Sequence, residues 1–178
     1  MRFVFLIGPP GSGKTTQASA LARGLGAAHV SAGDLVRDAK AAGEKVPRDR
    51  EDRSLVDASW IVGRIRLAAG CATDVIVDGF PRQKDHVALI PDLGQCLGIV
   101  RLMLPFESAL ARMKDRGREG EDLQRITYRR FLHNGRETAV INEARRVGLL
   151  VIDVDGERDQ ATVATAFAEA VERLRKSA

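Results

Sequence analysis

Eight residues near the start of the chain restrict its possible folds more than any other stretch: Gly8-Pro9-Pro10-Gly11-Ser12-Gly13-Lys14-Thr15. They fit the pattern G-x-x-x-x-G-K-[ST]. They follow an apolar run at 2–7 and precede 15–25, where Ala18, Leu21, Ala22 and Leu25 recur at helical spacing. A strand that hands over to a helix through such a loop leaves its glycines free to curl. Successive backbone N–H groups then point inward, and the helix adds its positive end. That cradle suits a polyphosphate. Lys14 is expected to reach the β- and γ-phosphates and the Thr15 hydroxyl to ligate Mg²⁺. Gly8, Gly11, Ser12, Gly13 and Thr16 complete the expected nucleotide-binding set.

The rest of the chain alternates strand-like and helix-like segments. Residue 30 marks a brief second strand, and 31–42 reads as a helix capped near Ser31. Residues 43–53 are polar and strongly charged, the pattern of a loop or mobile segment. Helical periodicity returns over 55–69. The run Asp74-Val75-Ile76-Val77-Asp78 is a buried strand closed by Gly79 and Pro81, and 97–104 is another, ended by Pro105. Helices are expected over 107–115, 122–147 and 160–176, with a last strand at 149–154. Five β-type runs separated by helices predict an α/β fold of the P-loop NTPase kind, three layers (α/β/α) around a five-stranded parallel sheet. Ligands of such sheets bind beyond the carboxyl ends of the strands. Asp78 stands at one of those ends. It is the natural acidic companion of Thr15 for Mg²⁺, partly through water, or it caps the turn at Gly79.

Composition bounds the rest. With 178 residues the chain fits a single domain, and 44 % hydrophobic with 29 % charged residues is the balance of a soluble globular protein. No apolar run approaches the ~20 residues needed to span a bilayer, and the N-terminal run passes directly into the glycine loop, so no signal peptide is expected. Cys71 and Cys96 match no metal spacing; they could be bridged, but nothing in length or composition asks for a disulfide, and buried free thiols in the cytosol are expected. Residues 101–146 hold eleven Arg or Lys against seven Asp or Glu, an excess of 11 − 7 = 4 that equals the net charge of the chain. This basic region lacks the interleaved aromatics of a nucleic-acid surface, and clustered arginines serve a compact polyphosphate equally well.

Three segments together, GPPGSGKTTQ at 8–17, SAGDLVR at 31–37 and DGFPR at 78–82, resemble the adenylate kinase family of nucleoside monophosphate kinases. The resemblance runs from Phe3 to about Leu174. It implies that family's fold, with an acceptor-binding segment at 31–70 and a short lid at 116–122. It also implies phosphoryl transfer from Mg²⁺-bound ATP to a nucleoside monophosphate by a cytoplasmic monomer, without nucleic acid or membrane as partner. By matching position, Arg37 and Arg82 hold the acceptor phosphate, with Ser31, Ala32, Val56, Gly79 and His86 around the acceptor. Arg112 lies over the donor base, and Arg116, Arg118 and Arg129 close on the donor phosphates. With Lys14 and Arg82 these four form the expected catalytic set.

The sequence departs from the family at the acceptor. Ala32 stands where a hydroxyl residue is usual, His86 where adenylate kinases place a glutamine that reads the adenine edge, and Asp57 where proline follows Leu-Val. The segment 34–78 is short, its middle is PRDREDR, and the lid has no cysteines for zinc. Acceptors other than AMP therefore stay open. So do kinase activity on another small phosphorylated or hydroxylated metabolite and a non-catalytic nucleotide-binding role.

Overall fold

The computed structural model describes residues 1–116 and 123–177, and the side chains of 106, 113–116 and 123–134 lie outside that description. Five strands, β1 (Arg2–Ile7), β2 (Ala28–Ser31), β3 (Asp74–Asp78), β4 (Gln95–Met103) and β5 (Val151–Asp155), form one sheet in the order β2-β3-β1-β4-β5. All pairs are parallel, with Leu6 opposite Asp78 and Ser31 opposite Asp78 on the other side. The carboxyl ends of all five strands therefore share one edge.

The strands read as continuous apolar runs because both faces are covered, and period-2 alternation sends their side chains to two cores. On one face Phe3, Phe5, Val75, Val77 and Ile99 pack with Ile61 and Ile65 of α3 (Ala58–Ala69) and Val140, Ile141 and Ala144 of α5 (Leu123–Arg146). On the other, Val4, Leu6, Ile76, Val100 and Leu102 meet Ala18 and Ala22 of α1 (Lys14–Leu25) and Phe167 and Leu174 of α6 (Gln160–Lys176). The remaining helices are α2 (Ala32–Ala41) and α4 (Phe106–Arg116). This is the three-layer α/β/α arrangement that the alternation of segments predicts.

Three local expectations change. Helix α3 begins at Ala58, not at 55, because Asp57 caps it by accepting from Trp60 N–H at 2.9 Å, while Leu55 and Val56 belong to a hairpin. Between α2 and α3 the described chain holds no helix or strand, as the loop expectation has it, and the isolated Arg48–Val56 bridge folds it back on itself. The chain at Lys84–Asp92 winds into 3-10 turns that carry Val87 and Ile90 into the core, an element whose polar start and Pro91 hide it in the sequence. Both cysteines are free as expected, but Cys71 is exposed; Cys96 is half-buried, and burial pushes its thiol up to about 11. Among the described residues no helix is long and apolar enough to cross a membrane.

The sheet tolerates no side chain at Gly98. Its φ is +150°, and a Cβ there would lie 2.5 Å from a Leu174 methyl and 2.8 Å from the Leu150 carbonyl. Gly98→Ala is expected to destabilise the fold by about 1–3 kcal/mol through overpacking, read as a lower urea midpoint at unchanged m-value.

Candidate active site

Strand β1 ends at Ile7, and the glycine loop turns immediately against β4. A Cβ on Gly8 would sit 2.5 Å from the Leu102 carbonyl oxygen, so only glycine fits there. Gly11 and Gly13 take φ values of +82° and +86°. Gly13 is the left-handed N-cap of α1 and offers no side-chain acceptor, and the first turn of the helix holds no acidic residue. The positive end of α1 is thus left to a ligand. Inside the curl Lys14 Nζ donates to the Pro9 carbonyl at 2.8 Å and to Ser12 Oγ at 3.3 Å. Thr15 and Thr16 are exposed on the first turn of α1.

Asp78 closes this side of the site. It is 4 % exposed at the end of β3, and its Oδ1 accepts from the Thr15 hydroxyl at 3.4 Å. That is long for a direct O–H···O bond. Its Oδ2 lies 2.8 Å from His29 Nε2, whose ring N–H orients the carboxylate. The sequence reading missed His29. Its signal is a lone polar ring on a four-residue strand just before the SAGDLVR segment.

The other two segments abut. A Cβ on Gly79 (φ +82°) would lie 3.7 Å from Ala32 Cβ and 3.8 Å from the Gly33 nitrogen. Ser31 caps α2 by accepting from Asp34 N–H at 3.3 Å, and the Ala32 methyl packs in the core. Arg37 is exposed and pairs with Asp34. Partial burial opposes ionisation of Asp34, but the Ser31 and Arg37 hydrogen bonds outweigh it and hold that carboxyl below its ordinary value. Arg82 is exposed next to the cis Phe80–Pro81 bond, and Val56 is half-buried in the hairpin. Arg112 is half-buried in α4. The side chains of Arg116 and Arg129, and all of Arg118, lie outside the described residues, as does most of the expected lid.

His86 is 2 % exposed and stacks on Phe80 with ring centroids 5.2 Å apart. The Arg82 backbone N–H donates to its Nδ1 at 3.3 Å. Burial holds its pKa below the usual histidine range. In the neutral ring one nitrogen accepts and the other donates, so Nε2 carries the hydrogen. That Nε2–H is buried with no hydrogen-bond partner among the described residues. An unsatisfied buried donor costs about 1–3 kcal/mol.

A family model described as an AAA domain matches residues 7–127. An adenylate kinase of Corynebacterium glutamicum (strain R) is 35 % identical, the match covering 93 % of this chain and 97 % of that one. An adenylate kinase of Stenotrophomonas maltophilia (strain R551-3) is 33 % identical over 90 % and 94 %. One from Mycobacterium sp. (strain MCS) is 31 % identical over 98 % and 99 %. The chain belongs to the adenylate kinase family. Its parallel sheet is the P-loop NTPase α/β fold, and it is an enzyme of ATP-dependent phosphoryl transfer to nucleoside monophosphates. The family match extends through the segments where the acceptor half departs from the usual pattern.

The environment of His86 has a consequence for stability. Its folded pKa lies below the 6.5 of the unfolded chain, so between the two values the unfolded state binds more protons. Stability is then full above about pH 6.5 and falls as the pH drops below it. Urea denaturation at pH 5.0 and 7.5 should show a larger acid loss for the parent protein than for His86→Phe. Equal losses would show that His86 does not stay neutral in the fold.

Proposed function

We propose that the glycine loop holds the phosphates of ATP and that the segment from Ser31 to His86 holds a nucleoside monophosphate, with the γ-phosphoryl group passing between them. The observation that carries this reading is the placement of Lys14 inside the loop, beside a Thr15–Asp78 pair at the carboxyl edge of the sheet. Backbone N–H groups of Gly11, Ser12, Gly13, Lys14, Thr15 and Thr16 would line the donor phosphates. Lys14 would leave the Pro9 carbonyl for the β- and γ-phosphate oxygens.

A Mg²⁺ ion fits the oxygen donors here. A hydroxyl and a carboxylate joined by a long 3.4 Å contact suit a hard cation that keeps several waters and takes its other ligands from phosphate. Among the described residues no group of three or more His, Cys, Asp or Glu forms a metal cage, and none is needed for such an ion. Thr15 and Asp78 would hold it, the latter partly through water, with His29 fixing the carboxylate. Bound there, the ion would neutralise charge on the β- and γ-phosphates.

Phosphoryl transfer of this kind needs positioning and positive charge more than a base. Arg37 and Arg82 supply two guanidinium forks for the acceptor phosphate, and Arg112, Arg116, Arg118 and Arg129 would close on the donor. Gly79 and Ala32 keep the floor between them narrow, and Val56 gives the acceptor base an apolar contact. His86 would offer its Nε2–H, buried in the free protein, to a carbonyl oxygen or unprotonated ring nitrogen of the base once acceptor binding uncovers it. Because Nδ1 is already engaged, the ring gives a donor only. A glutamine amide would donate and accept at once. Losing the acceptor for adenine's exocyclic amine removes the reason for a preference for AMP, and a non-nucleotide phosphorylated acceptor is the second reading. Free, partly exposed thiols fit a reducing cytosol.

A coupled assay of ADP formation against AMP, CMP, UMP, GMP and dTMP tests the assignment, which predicts acceptor-dependent turnover with at least one. Turnover with none, alongside activity on another phosphorylated metabolite, would move the protein to the second reading. Lys14→Ala is expected to lower kcat by ~10³-fold or more with folding intact by circular dichroism. Arg82→Ala should act chiefly on the acceptor, and a selective loss of ATP binding would contradict the division of the site. His86→Gln should raise AMP turnover relative to other acceptors by up to about tenfold, the worth of one net hydrogen bond. An unchanged acceptor profile would remove His86 from recognition.

A further inference from the structure

The segment 47–57, PRDREDRSLVD, is built unlike the apolar surfaces around it. It folds back on itself: Asp57 N–H donates to the Pro47 carbonyl at 3.1 Å and Asp49 N–H to the Leu55 carbonyl at 3.2 Å, with a bridge between Arg48 and Val56. Its tip is tied by its own carboxylates. Asp49 Oδ1 accepts from Glu51 N–H and Asp52 N–H at 3.0 and 2.8 Å, and Asp52 Oδ1 accepts from Ser54 N–H and Oγ–H at 3.0 and 2.6 Å. Arg48, Arg50, Glu51 and Arg53 are exposed, whereas Asp49 and Asp52 turn inward and are half-buried. Between Pro47 and Ser54 no apolar side chain anchors the hairpin in the core; Leu55, at its base, is the first to be buried.

Among the described residues, two side chains from elsewhere hold the inward carboxylates. Gln83 Nε2, next to Arg82, donates to Asp49 Oδ2 at 3.4 Å. Arg136, on α5, donates from Nη2 to Asp52 Oδ2 and to Ser54 Oγ, the latter at 2.8 Å. The Ser54 hydrogen bonds, with Arg136 adding to them, hold the Asp52 carboxyl below its ordinary value. The ion pair is not a surface ornament of two long flexible chains. Asp52 is short, its position is set by its hydrogen bonds within the hairpin, and Arg136 and Asp52 are 24 % and 29 % exposed.

We infer that Arg136 is a positioning residue that latches the 47–57 hairpin, and with it Val56, against α5 before the acceptor arrives. This rests on the reading that Val56 faces the acceptor. Without the latch, the hairpin has no buried side chain before Leu55 to oppose its swinging away from α5, and among the described residues only the Gln83 contact ties its tip from outside. A binding-competent hairpin populated a fraction of the time weakens the apparent affinity by that fraction. Acceptor binding therefore depends on Arg136, while ATP, held by the loop at Gly8–Thr15, does not.

The test combines kinetics with hydrogen exchange on the full chain. Using the monophosphate that the parent protein turns over best, Arg136→Met and Asp52→Asn should each raise the acceptor KM about fivefold, with the KM for ATP unchanged; this is the scale of a partly buried ion pair worth about 1 kcal/mol. The double variant should be no worse than either single one. Arg136→Lys should recover part of the loss, since an ammonium restores the charge but not the fork. In the absence of substrates, amide exchange in a peptide spanning 47–57 should quicken in Arg136→Met, while peptides from β1 and β4 stay protected. A normal acceptor KM with unchanged exchange at 47–57 would overturn the latch, and so would an equal rise in both KM values. If no monophosphate is turned over by the parent protein, the acceptor assignment fails, and the exchange measurement still decides whether Arg136 holds the hairpin.

Discussion

A carboxylate buried at the end of a strand needs hydrogen-bond partners, and Asp78 has them on two sides at once. Thr15 reaches it from the first turn of α1 and His29 from the neighbouring strand β2. The parallel register that places Ser31 and Leu6 opposite Asp78 brings the glycine loop, the SAGDLVR turn and the DGFPR turn to one edge of the sheet. Break that register and the three segments no longer meet. The tightness of the glycine positions has the same origin. Gly8 passes under the Leu102 carbonyl, and Gly79 lies against Ala32 and Gly33. The proposed donor and acceptor sites are thus two sides of one packed edge.

The two halves are built by different physics. The donor half is backbone: curled N–H groups, a helix terminus with no acidic residue in its first turn, and a lysine folded into the curl. The acceptor half is made of side chains on short, self-bonded segments. There Asp34 holds Arg37, the Arg82 backbone fixes the tautomer of His86, and Arg136 and Gln83 hold the inward carboxylates of a charged hairpin. In the proposed reading, this side-chain-built half is where the chain departs from the usual family pattern.

The legible part of the fold follows the same division. β1, β3 and α6 were readable to the residue because buried strands are unbroken apolar runs punctuated by glycine or proline, and a helix opening at Asp159 caps itself by accepting from Ala161 and Thr162 N–H. The sheet order was not readable, because which strands flank β1 depends on pairings far apart in sequence. Leu55 and Val56 continue the helical period of α3, yet their backbone is committed to a hairpin, so tertiary pairing overrode the local pattern. In the site, the glycine loop carries a spacing that chemistry dictates. His29 leaves only the faint signal of a single polar ring in a short strand, and Arg136, which meets Asp52 across 84 positions, leaves no local signal. The expected arginines at 116, 118 and 129 rest on the family resemblance alone.

The central claim is that the phosphoryl group held at the glycine loop is handed to a second bound molecule and not to water. Incubating the protein with ATP labelled at the γ-phosphate and a mixture of nucleoside monophosphates, then separating the products, tests it directly. The account predicts that the label moves into a nucleoside diphosphate, with little released as inorganic phosphate. Label appearing only in inorganic phosphate, or remaining in ATP, would contradict it.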